Sequence, residues 1–254
     1  MFYPGDPQAL AASVRDYLDG TPGEHAPAGD AVPKALIVPH AGYQYSAPIA
    51  ASGYRLLEPA HRSICRVVLL GPAHRVYLQG MAVPSAAAFD FPGGSIPLDL
   101  QAIDEIRQLP GVQVADDAHA EEHCLEVHLP FLDAVLDNFL LVPIVVGACP
   151  ATQVADVLEA LWGGDETAIV VSSDLSHYLP YDEARTTDAQ TSQAIAQRSS
   201  SLHGEQACGA YAINGLMEVA RRRGLDVDVL DVRNSGDTAG DRSQVVGYGA
   251  YAIH

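Results

Sequence analysis

Three histidines of the sequence each come shortly after an apolar segment of the kind that forms a buried strand. His40 lies in Pro-His-Ala-Gly-Tyr, His74 in Gly-Pro-Ala-His-Arg and His177 in Ser-Ser-Asp-Leu-Ser-His. Open α/β sheets bind ligands beyond the carboxyl ends of their strands, where the loops converge. Neutral imidazole is also the commonest protein ligand for metals such as Zn, Fe and Cu. The three histidines therefore predict a metal site at one edge of a sheet.

A metal site at this edge needs a third ligand, for which the residues offer Asp174 and Cys208. We expect Cys208 to lie at the start of a helix, where the helix dipole favours a thiolate and lowers the pKa of the thiol. A free cysteine also serves commonly as a small buried apolar residue. The residues alone leave the choice between the two candidates open.

The segment around His123 carries the densest polar chemistry. On a helix, His123 would share a face with both His119 and Glu126. His119 to His123 also fits the His-x-x-Glu-His pattern of inverted zinc peptidases, in which Glu122 would act as the base. Pro130 limits such a helix, and the strand-end histidines would be left without a role. A zinc hydrolase built on this pattern is therefore the least favoured hypothesis.

The elements that must position these residues alternate along the chain. Apolar, β-branched runs predict strands at residues 35–38, 66–70, 81–83, 140–146, 168–171, 227–232 and 245–253. Helical periodicity predicts helices at residues 6–18, 47–57, 98–109, 120–138, 151–161, 184–197 and 208–223. A Gly/Pro/Ala-rich loop is expected at residues 21–31. Strands that are apolar on both faces indicate a central, mostly parallel or mixed sheet covered by helices on both sides. We therefore predict a single three-layer α/β domain spanning residues 1–254.

Composition excludes several classes of partner. The 254 residues include 14 Lys+Arg against 32 Asp+Glu, which gives a formal net charge of −18. Such a chain repels phosphate backbones, so we expect neither nucleic-acid binding nor attachment to anionic membranes. No apolar stretch approaches the roughly 20 residues that cross a bilayer. Four cysteines without a Cys-x-x-Cys pair are typical of a reducing compartment, so we expect the cytoplasm.

Together, these segments resemble the Memo family, which is called AmmeMemoRadiSam system protein B in prokaryotes. The matching segments occur in family order and cover nearly the whole chain. They are Phe2-Tyr3-Pro4, Ile37-Val38-Pro39-His40-Ala41-Gly42-Tyr43, Leu69-Leu70-Gly71-Pro72-Ala73-His74, Glu122-His123-Cys124-Leu125-Glu126-Val127-His128-Leu129-Pro130, Val142-Pro143-Ile144-Val145-Val146-Gly147, Val171-Ser172-Ser173-Asp174-Leu175-Ser176-His177, Ala207-Cys208-Gly209 and residues 245–253.

The resemblance implies a fold like that of the class III extradiol dioxygenases, which are non-haem iron enzymes. It also implies a mononuclear site for one transition-metal ion, with Fe(II) expected first and Cu or Zn as alternatives. Carried over to this sequence, the metal ligands are His40, His74 and Cys208. The resemblance thus selects Cys208 as the third ligand.

The same resemblance implies roles for four further residues. His177 and Asp174 would line the metal pocket, with His177 at the place of the dioxygenases' acid/base histidine. Because Asp174 lies three residues before His177, we add the hypothesis that it orients the His177 ring. His123 and Glu126 would either support the ligands or act as acid and base. The expected function is a redox or dioxygenase-like enzyme acting on an unknown small molecule. The main alternative is a non-catalytic, metal-dependent binding module that works with a radical-SAM protein.

One position departs from the animal members of the family. In those members an arginine follows the Cys-Gly pair, whereas Ala210 stands here. We therefore do not extend to this acidic chain the phosphotyrosine-peptide binding attributed to animal members.

Overall fold

A nine-stranded sheet runs through the computed structural model, which describes residues 2–21 and 32–254. The loop expected at residues 21–31 lies outside the described residues except for Thr21. The strands are β1 (Ala35–Val38), β2 (Arg66–Pro72), β3 (Met81–Val83), β4 (Ala88–Phe91), β5 (Gly94–Pro97), β6 (Val112–Val114), β7 (Leu140–Val146), β8 (Thr167–Ser172), β9 (His177–Leu179), β10 (Val227–Asn234) and β11 (Val245–Ile253). Of these, β4 and β5 form a separate hairpin.

The centre of the sheet is parallel and its flanks are mixed. The order is β10-β11-β1-β8-β2-β7-β3-β6, and β9 pairs with β11. Strands β1, β8, β2 and β7 run parallel to one another, whereas β11 and β3 are antiparallel to their neighbours β1 and β7. The central strands are almost wholly buried. The predicted mixed sheet is thus confirmed, and β1, β8 and β2, which precede the three histidines, are direct neighbours.

Helices cover both faces of this sheet. They are α1 (Pro7–Asp19), α2 (Tyr43–Tyr54), α3 (Leu100–Ile106), α4 (Asp117–Ala120), α5 (Leu129–Val135), α6 (Ala151–Ala160), α7 (Tyr181–Ala196) and α8 (Ala210–Arg223). Helices α1, α2 and α5 pack together, as do α6 and α8, while α7 packs on β10 and β11. The two consecutive serines at the end of β8 contact segments on opposite faces of the sheet. The hydroxyl of Ser172 meets His128 just before α5, and that of Ser173 accepts from Gly209 N just before α8.

The long helix predicted at residues 120–138 is wrong. Helix α4 ends at Ala120, a 3-10 turn covers Glu126–His128, and α5 begins at Leu129. Pro130 occupies the first turn of α5, where the missing N–H of a proline costs nothing. In the gap, the carboxylate of Glu122 binds the backbone N–H groups of His123 and Cys124 and turns the chain inward.

The prediction from sequence also missed four short strands, β4, β5, β6 and β9, each of three or four residues. Their residues are partly exposed and lack the apolar runs on which the strand prediction relied. No helix within residues 2–21 and 32–254 combines the length and the apolar character that a bilayer-spanning helix requires.

Candidate metal centre

Three potential metal donors converge beyond the carboxyl ends of the central strands. His40 follows β1, His74 follows β2, and Cys208 comes just before α8. Their donor atoms all lie within 4.8 Å of one another. The Nε2 of His40 is 3.5 Å from the Sγ of Cys208, and the rings of His40 and His74 are 5.3 Å apart at their centroids. One nitrogen from each imidazole and one sulfur thus lie close enough together to hold a single metal ion.

Gly209 allows the cysteine to come this close to the sheet. A Cβ atom at Gly209 would lie 2.6 Å from the backbone oxygen of Ser172, at the end of β8. Only a residue without a side chain fits between α8 and this strand end. The backbone N–H of Asp174 then donates to the Sγ of Cys208 at 3.3 Å.

The inner side of the His40 ring is held by a buried hydroxyl. Its Nδ1 lies 2.6 Å from the Oγ of Ser172, which also contacts the Nε2 of His128 at 2.8 Å and the backbone oxygen of Cys124 at 2.6 Å. Burial, and then the neighbouring His74, lower the pKa of His40 to about 3. Burial also lowers the pKa of His128 to about 3. Both rings are therefore neutral at pH 7, which is the form that binds metals.

The carboxylate of Glu122 holds His74. It accepts from the backbone N–H of His74 at 2.7 Å and contacts the Nδ1 of the ring at 2.9 Å. Burial acts to raise the pKa of Glu122, but the hydrogen bonds from His74 prevail and lower it to about 2. An ionised carboxylate on the Nδ1 of a histidine fixes that proton and leaves Nε2 free to bind a metal.

A second group of donor atoms, from His74, Glu122 and Cys124, also lies within 4.8 Å. The side chains of Glu122 and Cys124 already make hydrogen bonds within the protein. Both oxygens of Glu122 serve His74, and the thiol of Cys124 donates to the backbone oxygen of Pro72 at 3.2 Å. We therefore interpret this group as support for His74.

The expectation that a helix start lowers the pKa of Cys208 is wrong for the protein without metal. Cys208 does precede α8 closely, but burial raises the pKa of its thiol to about 12, with a further contribution from Asp174. Desolvation of a thiolate thus outweighs the field of the helix. A bound cation would supply the compensating charge.

Asp174 does not orient His177 as expected. Its Oδ1 accepts from the backbone N–H of His40 at 2.8 Å, and its Oδ2 lies 3.9 Å from the Nε2 of the same residue. Within residues 2–21 and 32–254, no hydrogen bond joins Asp174 to His177. Burial raises the pKa of Asp174, against the lowering effect of the hydrogen bond from His40. Asp174 therefore positions the segment that carries His40.

A cavity of about 510 Å³ opens beside the donor atoms. His40, His74, Asp174, His177 and His123 line it, together with Phe2, whose ring lies 4.6 Å from that of His123. His177 belongs to the short strand β9, paired with β11, rather than to a loop. Of the three potential donors, His40 and His74 thus line a space of the size that holds a small molecule.

Glu126 contacts one residue of the cavity wall, His123. Its carboxylate contacts the Nδ1 of His123 at 2.9 Å, as their spacing predicted, although they are joined by a loop and a 3-10 turn rather than a helix. Glu126 is not among the residues that line the cavity.

The structure does not assemble the zinc-peptidase pattern. Helix α4 ends at Ala120, and the Nε2 of His119 lies 3.1 Å from the backbone oxygen of Ala82. The intervening Glu122 is bound to His74. In the described part of the chain, neither His119 nor His123 belongs to a group of potential metal donors.

Three residues of the centre were missed or misread from sequence: Glu122, Ser172 and His128. Glu122 and Ser172 each contact a histidine that is distant in sequence, 48 residues from Glu122 to His74 and 132 from Ser172 to His40, and His128 contacts Ser172 across 44 residues. A signal for Glu122 did exist, because metal-binding histidines usually bind a carboxylate or carbonyl through their other nitrogen. Ser172 and His128 gave no comparable signal.

Comparisons with known proteins agree with the resemblance seen in the sequence. A model of the Memo-like protein family matches residues 1–252. A "MEMO1 family protein" of Archaeoglobus fulgidus is 33% identical over 261 residues, which cover 97% of this chain and 94% of the relative. One from Aquifex aeolicus is 34% identical over 259 residues, with the same coverage of 97% and 94%.

The fold is also similar to a solved structure. The crystal structure of an uncharacterized protein from Escherichia coli K12 superposes with a TM-score of 0.52 at 13% identity. The match covers 85% of this chain and 98% of that one. At this identity the likeness supports the α/β fold alone, whereas the family match rests on the sequence. On that match over nearly its whole length, the chain belongs to the Memo-like protein family.

Proposed function

We propose that this protein binds a single transition-metal ion through His40, His74 and Cys208 and uses it in a redox reaction on a small molecule held in the adjoining cavity. The observation that carries the proposal is the orientation of the two rings. Each has its Nδ1 against a protein oxygen, from Ser172 or Glu122, and its Nε2 left for a metal. Metal-binding histidines in proteins are held in this way.

The donor set fits a metal of intermediate or soft character. Two imidazoles and one thiolate suit Fe(II), Cu(I) or Zn(II) better than hard cations that prefer oxygen. Three protein ligands also leave positions for substrate, and an iron or copper ion there would supply one-electron chemistry at the mouth of the cavity. We take iron first, with copper and zinc as alternatives.

The remaining site residues act on protons and positions. His177 lies on the cavity wall, and we propose that its imidazole takes a proton from the bound molecule and returns it. His123 also lines the wall and is backed by the Glu126 carboxylate, which makes it a second acid/base candidate. Asp174 holds the backbone of His40 and so acts on the ligand rather than on the substrate.

Metal content tests the ligand assignment. The full chain would be purified without oxygen, as wild type and as His40→Ala, His74→Ala and Cys208→Ala. His61→Ala is the matched control, because His61 is exposed and contacts Asp137. We expect near-stoichiometric iron or copper in wild type and control and its loss in all three ligand variants. Equal metal content in all five proteins would refute the assignment.

Oxygen consumption then tests the activity. Metal-loaded wild type would be screened with catechols and other small chelating phenols, beside His177→Ala. Uptake that requires the metal and falls in the His177 variant supports a redox enzyme. Bound metal with no uptake for any compound argues against it and favours a binding module with a protein partner.

A further inference from the structure

The hydroxyl of Ser172 has three polar neighbours and only one proton. They are the Nδ1 of His40 at 2.6 Å, the Nε2 of His128 at 2.8 Å and the backbone oxygen of Cys124 at 2.6 Å. Ser172 is 0% exposed and His128 1% exposed, so water does not complete this arrangement. The distribution of hydrogens among the four atoms must therefore satisfy all three contacts internally.

Only one distribution does so. A carbonyl oxygen can only accept, so the proton of Ser172 must point to Cys124. The two lone pairs of the hydroxyl then require donors, which means that His40 carries a proton on Nδ1 and His128 on Nε2. If the hydroxyl turned to either imidazole instead, two oxygen lone pairs would face each other at 2.6 Å in a buried site.

We infer that Ser172 is a positioning residue that fixes the tautomer of His40, protonated on Nδ1, and so presents the lone pair of Nε2 toward Cys208. The purpose of this arrangement rests on the proposed metal site, but the tautomer itself is a property of the metal-free protein. His74 obtains the same tautomer from a carboxylate, through Glu122. His40, with 7% exposure, obtains it from a neutral hydroxyl and a backbone carbonyl and so brings no further charge into the interior.

Replacing Ser172 and replacing His128 should have different effects on the tautomer of His40. In Ser172→Ala, the Nδ1 of His40 loses its acceptor, so the ring is free to exchange between tautomers. In His128→Phe, the proton of Ser172 still binds Cys124, so His40 should keep its proton on Nδ1. A purely structural role of these buried residues would not produce this difference.

Long-range ¹H–¹⁵N correlation spectra of the imidazoles in the metal-free full chain test the inference at pH 7. His40 and His128 are assigned through His40→Gln and His128→Phe. We expect wild type to show His40 protonated on Nδ1 and His128 on Nε2, with exchange averaging of His40 in Ser172→Ala. Thr191→Val is the matched control, because it removes a buried hydroxyl from α7 that donates only to the backbone oxygen of Thr187.

Titration with Fe(II) or Zn(II) gives a second readout. Loss of a group that orients a metal-binding histidine typically weakens binding by about 10–100-fold. We expect that loss in Ser172→Ala but not in Thr191→Val. If Ser172→Ala does not fold, Ser172→Thr keeps the hydroxyl and should keep the wild-type tautomer, while the wild-type spectrum alone still decides the proton positions.

The inference is overturned if wild type shows His40 protonated on Nε2 or His128 protonated on Nδ1. It is overturned equally if Ser172→Ala leaves the His40 signals unchanged. Failure of the proposed function would look different. In that case the predicted tautomers are present in wild type, but neither Fe(II) nor Zn(II) binds.

Discussion

Replacing Glu122 by glutamine tests how the protein holds His74, a proposed metal ligand. The Glu122 side chain is only 3% exposed, and its two oxygens bind the backbone N–H and the ring Nδ1 of His74. Those hydrogen bonds lower its pKa from 4.5 to about 2 against the effect of burial. Glutamine has nearly the same shape, but it carries no charge and places an NH2 group opposite one of the two donors.

The pKa gives the size of the effect. A fall from 4.5 to about 2 corresponds to roughly 3 kcal/mol of native-state stabilisation by the carboxylate. The side chain of His74 is 38% exposed, so solvent screens part of this interaction and we expect about 2 kcal/mol. Because the folded-state pKa is the lower one, this contribution is complete above pH 4.5 and is lost as the pH falls toward 2.

Urea unfolding of the metal-free protein measures it. At pH 7, Glu122→Gln should lower the free energy of unfolding by about 2 kcal/mol, and by pH 3 about half of that difference should be gone. Glu121→Gln, the same change at the exposed neighbouring position, should alter stability by less than about 0.5 kcal/mol. A loss in Glu122→Gln that is equal at both pH values would refute the reasoning, because it would then come from packing and not from the charge.

Two further predictions concern the packing beside the same centre and the proton on its cysteine. In Gly71→Ala, the new Cβ would lie 2.6 Å from the Sγ of Cys124 and 2.8 Å from the Cδ2 of Leu125, so we expect a loss of about 1–3 kcal/mol in urea unfolding together with weaker metal binding. Because burial raises the pKa of Cys208 to about 12, metal must displace the thiol proton at neutral pH. Metal affinity, measured by competition with a chelator, should then rise about tenfold per pH unit from pH 7 to 9. Cys208→Ser should remove that slope, and an unchanged slope would exclude Cys208 as the source of the proton.

The strands of the sheet were predictable because each central strand carries its own signal. All seven predicted runs are strands, and the helix expected at residues 151–161 is found at Ala151–Ala160. Burial on both faces selects β-branched residues along the whole strand, as in Leu140–Val146. Strand β9 has no such signal, because its three residues are held by pairing with β11 rather than by an apolar core.

From the residue pattern alone, the candidate site was predictable only where the fold class places a residue, whereas Cys208 was selected by the family resemblance. His40 and His74 follow β1 and β2, which pair in parallel with the two sides of β8, so the carboxyl-end rule brought them to one edge. The same rule did not say which groups contact their other nitrogens, because Glu122 and Ser172 reach them across distant parts of the chain. The pKa of Cys208 was misjudged for a related reason, since burial depends on tertiary packing that a helix boundary does not reveal.

The failed helix prediction and the construction of the centre have one cause. Residues 120–138 have helical periodicity, and a continuous helix would satisfy their backbone locally. The chain instead leaves the helix after Ala120, where the carboxylate of Glu122 binds both His74 and the N–H groups of His123 and Cys124. A continuous helix would have used the carbonyl oxygens of its preceding turn as acceptors for these N–H groups. Local preference was thus overridden where a carboxylate orients His74, the proposed metal ligand, and conflicts between local and tertiary preference are expected at functional sites.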